Sequence, residues 1–255
     1  MSKKVFNKYS NYYDLLYKDK NYYEEANFIH NLIKIYRPQS KYILEFGSGT
    51  GKHANVLAKL GYKIHGIELS QEMVSKAHIV QGFTIQQGNI AKIKINKTFD
   101  IVLSLFHVMS YQITNRQFKD VFFNAATHLK NNGIFIFDFW YSPAVRSQKP
   151  SIRVKNVSNK ELEVTRIAQP TIKSNKNIVE VNYKIFVRNL INKKIDMFKE
   201  KHIIRHFYLS EIDFMCDLYG FKRLEAKEFI TGKKINSNTW TPCVILKKID
   251  KIKKK

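Results

Sequence analysis

Eleven residues, ILEFGSGTGKH from Ile43 to His53, constrain this chain more than any other stretch. An apolar run carrying one acid, Glu45, leads straight into glycines at 47, 49 and 51. The run reads as a buried strand. Glycine, which has no Cβ, lets the backbone turn sharply and pass close to a ligand. A strand that breaks into a glycine turn and resumes as a helix is the opening unit of a parallel α/β sheet, in which ligands sit at the carboxyl ends of the strands.

The flanking sequence repeats that alternation. Apolar residues at Phe28, Ile29, Leu32, Ile33 and Ile35 predict a helix that ends before Pro38, and HANVLAKLG predicts another with Gly61 near its C-cap. YKIHGIEL reads as a second strand and SQEMVSKAHIV as a helix capped by Ser70. FTIQQGNI, FDIVLSLFHV, a helix around NRQFKDVFFNAATHLK, and GIFIFDFWY complete strands three to five. After Tyr141 the pattern changes. Glycine is absent from Ser142 to Tyr219, and SIRVKNV, ELEVTRIAQ, NIVEVNYKIFVRNL and KIDMFKEKHIIRHFYL alternate as antiparallel strands do. LSEIDFMCDLYG returns to a helix, with Ser210 as candidate cap and Gly220 as its stop, and FKRLEAKEFI and TPCVILKK supply two last strands. The expected fold is α/β, a doubly wound Rossmann-like sheet with an antiparallel β insertion after strand five. The expected division is a core over residues 1–141, an insertion over 142–208 that forms the acceptor pocket, a return to the core sheet over 209–248 and a basic tail over 249–255.

At 255 residues with 44% hydrophobic content, the chain can bury a full core. It has no apolar run of ~18 residues, and MSKKVFNKYSNYYD lacks the apolar middle of a signal peptide, so a cytoplasmic location without a transmembrane segment is expected. Cys216 and Cys243 fit no CxxC or Cys/His pattern, which argues against a disulfide framework or a structural zinc. His202 and His206 stand four apart in a strand-like run and read as an incidental pair; no metal is expected. The charge is less ordinary, since 44 Lys+Arg against 21 Asp+Glu give a formal +23. Nucleic acid, an acidic membrane face or a phosphorylated substrate would each fit that surplus, as would a lysine-rich composition with no partner behind it. The terminal KKIDKIKKK reads as a solvated tail with weak affinity for acidic lipid.

The usual dinucleotide fingerprint has its third glycine one place later, where this chain has Lys52, so a pyrophosphate ligand is disfavoured. Glu45, just before the loop, can pair with a cationic ligand, and Glu68, at the end of the second strand, lies where two ribose hydroxyls would be held. Together they suit an adenosine that carries positive charge. Here the sequence resembles the class I methyltransferases that use S-adenosylmethionine. Their ExGxGxG signature stands as Glu45 to Gly51, and the likeness covers about Tyr12 to Tyr141 closely and the remainder loosely. The resemblance implies S-adenosylmethionine as cofactor, with Glu45, Gly47, Gly49 and Gly51 facing its methionine and ribose portions and Glu68 holding the ribose hydroxyls. It implies Leu69 and Met73 in the adenine pocket, and Asn89 of GNI where the family usually has an Asp beside the adenine amine; an amide oxygen can still accept from that amine. Ile90 and Leu105 complete the expected cofactor-binding set.

The acceptor side turns on SLFHVMSYQ, which follows strand four. It lacks the [DN]PP[YFW] common in enzymes acting on nucleobase or amide nitrogen, and the Pro-Cys pair at Pro242 and Cys243 lies inside a predicted strand, where it reads as structural. The tyrosine-rich opening YYDLLYKDKNYYEEA, the FHVMSYQ segment, DFW after strand five and the antiparallel insertion resemble the small-molecule branch that contains the N-methyltransferases of nucleotide-linked amino sugars. That resemblance implies that Tyr17 and Tyr22 close over the methionine end of the cofactor. It also places Tyr111 where those sugar enzymes often hold a histidine, with His107 one turn earlier sharing its work.

A sulfonium methyl group is already activated, so alignment of nucleophile, carbon and sulfur accounts for most of the gain, up to ~7–11 kcal/mol in favourable cases. An amino sugar is largely protonated near neutral pH and must lose a proton first. His107, with an unperturbed pKa near ~6.5, is the first candidate base; Tyr111, relaying through water, and Tyr17 are the other catalytic candidates. His107, Tyr111, Trp140 and Tyr141 form the expected substrate-binding set, the last two with Tyr17 making an aromatic wall. The expected activity is methylation of a small-molecule acceptor, phosphorylated or nucleotide-linked, at an amine or hydroxyl, in the making of surface polysaccharide or a glycosylated product. The insertion is also a candidate homodimer face. Two other readings stay open: an RNA methyltransferase, favoured by the charge, and a non-catalytic sensor or partner subunit that binds the cofactor.

Overall fold

The computed structural model describes residues 9–249. Helix α1 (Ser10–Leu16) and helix α2 (Tyr22–Tyr36) precede the first strand. The alternation then runs β1 (Tyr42–Phe46), α3 (Lys52–Lys59), β2 (Lys63–Glu68), α4 (Gln71–Lys76), β3 (Phe83–Gln87), β4 (Phe99–Ser104), α5 (Asn115–His128) and β5 (Leu129–Asp138). These five strands pair in parallel in the spatial order β3-β2-β1-β4-β5. Successive strand residues face opposite sides of a sheet, and here both sides are apolar, as a sheet covered twice requires. Ile43, Ile101, Leu103, Ile134 and Ile136 join one core with Ile29, Ile33 and Leu57 of α2 and α3. Leu44, Phe46, Val102, Phe135 and Phe137 join the other with Phe118 and Phe122 of α5.

Past β5 the chain leaves this sheet through β6 (Trp140–Tyr141) and α6 (Ser142–Gln148), then forms β7 (Arg153–Ser158), β8 (Leu162–Lys173), β9 (Ile178–Asn189) and β10 (Ile195–Phe207). They make a second, five-stranded sheet in the order β6-β10-β9-β8-β7, antiparallel except where β6 pairs β10. One face packs on Tyr9, Leu16 and neighbouring tyrosines of α1. Further along, the same sheet meets Val145 of α6, Tyr111, Trp140 and Trp240. Helix α7 (Leu209–Tyr219) returns the chain to the first sheet, where β11 (Phe221–Glu228) and β12 (Pro242–Lys248) are added. Strand β12 slots between β5 and β11 and runs antiparallel to both. The α/β sheet and the antiparallel insertion after strand five therefore stand as expected.

Local differences have local causes. Helix α6 has no periodic apolar signal, and Pro143 in its first turn, where the missing N–H costs nothing, starts it. Helix α4 stops at Lys76 rather than running on to Val80; Ile79 is 52% exposed, so another turn would bury little. Ser210 lies inside α7 and does not cap it. The chain enters at Tyr208, whose N–H donates to the Glu211 carboxylate one turn on (2.9 Å). Gly220 does stop that helix, in the left-handed conformation. Both cysteines are buried free thiols. No helix among the described residues is long and apolar enough to cross a membrane. Beyond Ile249 the expected basic tail lies outside the described residues.

Candidate active site

The glycine loop sits at the carboxyl end of β1, where strand order reverses between β2 and β4, the place an open α/β sheet leaves a crevice. All three glycines have positive φ, but their surroundings differ. A Cβ on Gly47 would lie 2.4 Å from the Val108 side chain, and one on Gly51 would lie 2.4 Å from the Phe83 ring. A Cβ on Gly49 would meet nothing within 4 Å, so that residue presents bare backbone to open space. Around it stand two buried carboxylates. Glu68 accepts from the N–H of Gly49 (2.9 Å) through one oxygen and from the N–H of Ser70 (2.8 Å) through the other. Burial raises its pKa, and those hydrogen bonds pull it back down. Glu45, 2% exposed, accepts from the Ser48 hydroxyl (2.6 Å). Burial pushes it up to about 7, with the Ser48 bond acting against the rise and the Glu68 charge adding to it. A buried carboxylate that would gain from a cation and an unfilled backbone face beside it fit S-adenosylmethionine.

The rest of the expected cofactor set divides. Met73 is buried beside the Ser70 cap, whereas Leu69 is 66% exposed. The Asn89 side-chain oxygen accepts from the N–H of Ala91 (2.9 Å), which turns the chain after β3 and keeps the amide at the surface. Ile90 and Leu105 belong to the two apolar cores flanking the sheet. Tyr22 sets its ring edge-on to His53 (5.0 Å) beneath the Lys20 ammonium (4.9 Å). His53 also shares a 2.6 Å contact with Glu25, which ion-pairs with Lys20. Burial would raise the Glu25 pKa, but His53 and Lys20 outweigh it and hold the group below the ordinary carboxylate range.

On the acceptor side, β4 ends in two successive non-glycine residues with left-handed backbone, Phe106 (φ 63°) and His107 (φ 65°). Such residues cost on the order of 1–3 kcal/mol each and need a surrounding structure that fixes them. Asp138, 1% exposed at the end of β5, accepts from the His107 N–H (2.9 Å), and its second oxygen lies 3.3 Å from His107 Nδ1. Burial lifts Asp138 to about 7 against the pull of that N–H. Burial, then the nearby Lys20 charge, lowers the His107 imidazole to about 4, so the ring is neutral at physiological pH rather than poised near 6.5. Trp140 turns its ring edge toward His107 (6.4 Å), and Tyr17 packs edge-on to Phe106 (5.1 Å). The Tyr17 hydroxyl accepts from Arg166 (3.0 Å), which also donates to Tyr9 (2.7 Å). Tyr111 closes the 3₁₀ turn Val108–Tyr111, and its hydroxyl lies 2.7 Å from His202 Nδ1. His206 instead meets the Ser142 hydroxyl (2.7 Å), so the two histidines of β10 serve different partners. Tyr141 falls on the opposite side of its short strand from Trp140 and packs on Phe139 in the core (6.4 Å).

Residues 43–133 match the family model of the methyltransferase domain. This chain is an S-adenosylmethionine-dependent methyltransferase with the class I fold. Among sequence relatives, the methyltransferase is 24% identical over 204 residues to the dTDP-3-amino-3,4,6-trideoxy-alpha-D-glucopyranose N,N-dimethyltransferase of Streptomyces venezuelae, which spans 79% of this chain and 84% of that one. Among solved structures, an S-adenosylmethionine-dependent methyltransferase from Clostridium acetobutylicum superposes with a TM-score of 0.81 at 23% identity, covering 96% of this chain and 99% of that one. An amino pentose methyltransferase from Micromonospora echinaspora, solved with the cofactor bound, gives 0.76 at 19% identity over 97% and 99%. These two likenesses establish the fold.

Bound in the methyltransferase, S-adenosylmethionine would supply a methyl group activated by positive sulfur, and Glu45, Gly49 and Glu68 are the residues that would hold it. Several residues of the cleft carry no sequence signal of their own. Asp138, Arg166 and Asp14 are single charged residues in unremarkable contexts, and each gains its position from a contact distant in sequence. Asp14 is the clearest case: it accepts from the Thr50 hydroxyl (2.9 Å) and pairs with Lys52 (3.3 Å), tying α1 across the glycine loop.

Proposed function

We propose that this methyltransferase acts on the amine of a small sugar carried by a nucleoside diphosphate. The observation that carries the reading is the convergence of Tyr17, His107, Tyr111 and Trp140 beside the glycine loop, under the antiparallel insertion. Aromatic rings gathered around a neutral imidazole suit a compact polyhydroxylated acceptor with a nitrogen to be desolvated. His107, at about 4, is too weak a base to take a proton from an alkylammonium, but a neutral ring nitrogen can accept a hydrogen bond and orient the amine. The substrate named for the Streptomyces venezuelae relative, a dTDP-linked amino sugar, supports this class.

The test is transfer of labelled methyl groups from S-adenosylmethionine to two acceptor pools, nucleotide sugars and total RNA. Label in an amino sugar is the expected result. Label confined to RNA, with affinity falling steeply as salt rises, would replace the reading with one that uses the +23 charge. Tight cofactor binding with no transfer would point to a sensor or partner subunit.

A further inference from the structure

The geometry points to Tyr111, His202 and Glu200 as a proton relay that takes one proton from the acceptor ammonium. This rests on the amine reading above. Tyr111 Oη lies 2.7 Å from His202 Nδ1, and His202 Nε2 lies 2.9 Å from Glu200 Oε1. A carboxylate can only accept, so His202 carries its proton on Nε2 and leaves Nδ1 as acceptor for the phenol. The arrangement has the logic of a hydroxyl, imidazole and carboxylate in series. Two elements supply it: the 3₁₀ turn after β4 gives the phenol, and β10 gives both others.

The head of the relay stands at the cleft. Val108, which opens the turn that ends at Tyr111, fills the space left by Gly47 in the cofactor loop. Tyr17 and Tyr9 share the Arg166 guanidinium (3.0 and 2.7 Å), and the Tyr9 ring packs edge-on to His202 (5.6 Å), which ties the relay to the wall that carries Tyr17. Burial, with Tyr183, Tyr17, Glu200 and Glu68 around it, raises the Tyr111 pKa well above the ordinary phenol value, so the group enters the reaction protonated. In the step, an ammonium N–H bond breaks and its proton goes to Tyr111 Oη. The phenol proton passes to His202 Nδ1, and Glu200 holds the resulting imidazolium. The nitrogen keeps the electron pair that forms the new bond to carbon. Glu200 leaves 10% of its side chain at the surface, a path by which the proton reaches solvent. The other groups facing His202 are the rings of Tyr183 (4.7 Å) and Tyr9 (5.6 Å), with the Arg166 guanidinium stacked over Tyr183 (5.0 Å).

Two variants test it. Tyr111→Phe removes the head, and His202→Asn retains an oxygen near the Nδ1 position that cannot take a proton. With a dTDP-linked 3-amino sugar as probe, both are expected to lower kcat ~100-fold near pH 7, with KM and cofactor affinity within ~3-fold of the unaltered enzyme. The deficit should shrink toward parity near pH 9, where the amine is already a free base. An equal deficit at both pH values, or none, would overturn the relay while leaving the amine reading intact. If the unaltered enzyme methylates no amino sugar, the amine reading falls, and the His202 tautomer decides separately. Nitrogen NMR of the enzyme loaded with S-adenosylhomocysteine is expected to show the proton on Nε2. A proton on Nδ1 would sink the relay whatever the acceptor.

Discussion

The cofactor side and the acceptor side of the cleft are held by different means. At the glycine loop, the groups that set the geometry are main-chain N–H donors, a bare Cα and two carboxylates, drawn from the ends of β1 and β2, strands adjacent in the sheet. Beside it, Tyr17, His107, Tyr111 and Trp140 are positioned by side chains far away in sequence, including Arg166, Asp138 and His202. A loop fixed by backbone tolerates little change at the backbone. A wall fixed by side chains fails gradually, because each contact can be lost singly.

Substitution at the loop should therefore have the largest effects. Gly47→Val places a branched side chain at φ 73°, against Val108, and is expected to cost several kcal/mol of stability and abolish cofactor binding by calorimetry, within the ~3–5 kcal/mol range of severe core changes. Gly49→Ala meets no neighbour and should cost only the ~1–2 kcal/mol of left-handed strain in the empty protein, yet still weaken the cofactor at least tenfold. Equal melting-temperature losses in the two variants would break the distinction between a packing glycine and a ligand-facing one.

Glu45→Gln sharpens the comparison through pH. The folded protein holds the Glu45 proton up to about 7, whereas the ordinary value is 4.5. Stability is therefore lost as pH rises from the lower value to the higher, because the folded state binds the proton that the unfolded state has released. Removing the charge should stabilise the empty protein at pH 8 by up to about 3 kcal/mol, measured by denaturant unfolding, and hardly at all at pH 4. Asp138 adds a similar slope and His107 the opposite one, so the difference between variant and parent is the quantity to read. The same substitution should lower cofactor affinity. In the parent, affinity should rise from pH 6 to pH 8 as Glu45 ionises opposite a cation. A pH-independent affinity would remove Glu45 from the site.

Effects on the acceptor wall should be smaller. Arg166→Met releases the Tyr9 and Tyr17 hydroxyls and should raise KM for the acceptor about 5- to 10-fold, roughly the ~1–1.5 kcal/mol at the upper end of an ordinary hydrogen bond, while leaving the cofactor Kd unchanged. Asp14→Ala cuts the tie from α1 to Thr50 and Lys52; it should weaken the cofactor only about 2- to 5-fold, since exposed pairs contribute under about 1 kcal/mol. A loss as large as that of Gly49→Ala would mean α1 is integral to the cofactor site.

The sequence made the loop legible because its physics is local. Strand, glycines and helix start are consecutive, and Glu68 follows one crossover later at a spacing set by the fold. His107, just past β4, is singled out on the same local grounds, but its ionisation is not: the shift to about 4 comes from burial and from Lys20, which no spacing reveals. Trp140 and Tyr141 part through a period-two effect, since one residue's displacement along β6 reverses the face. His202 appeared as half of a meaningless pair because its partner, Tyr111, lies 91 residues earlier.

By itself, then, the sequence determined the order of strands and helices, the change to antiparallel pairing after Tyr141, and the glycine turn at the end of the first strand, all encoded in hydrophobic period and in glycines whose constraint is on their own backbone. Only the tertiary structure decided which face of the insertion meets the loop, which hydroxyl each histidine of β10 serves, and which buried groups are charged. Those depend on distances between residues remote in the chain and on how much water folding removes from each, and neither quantity exists until the two sheets have come together.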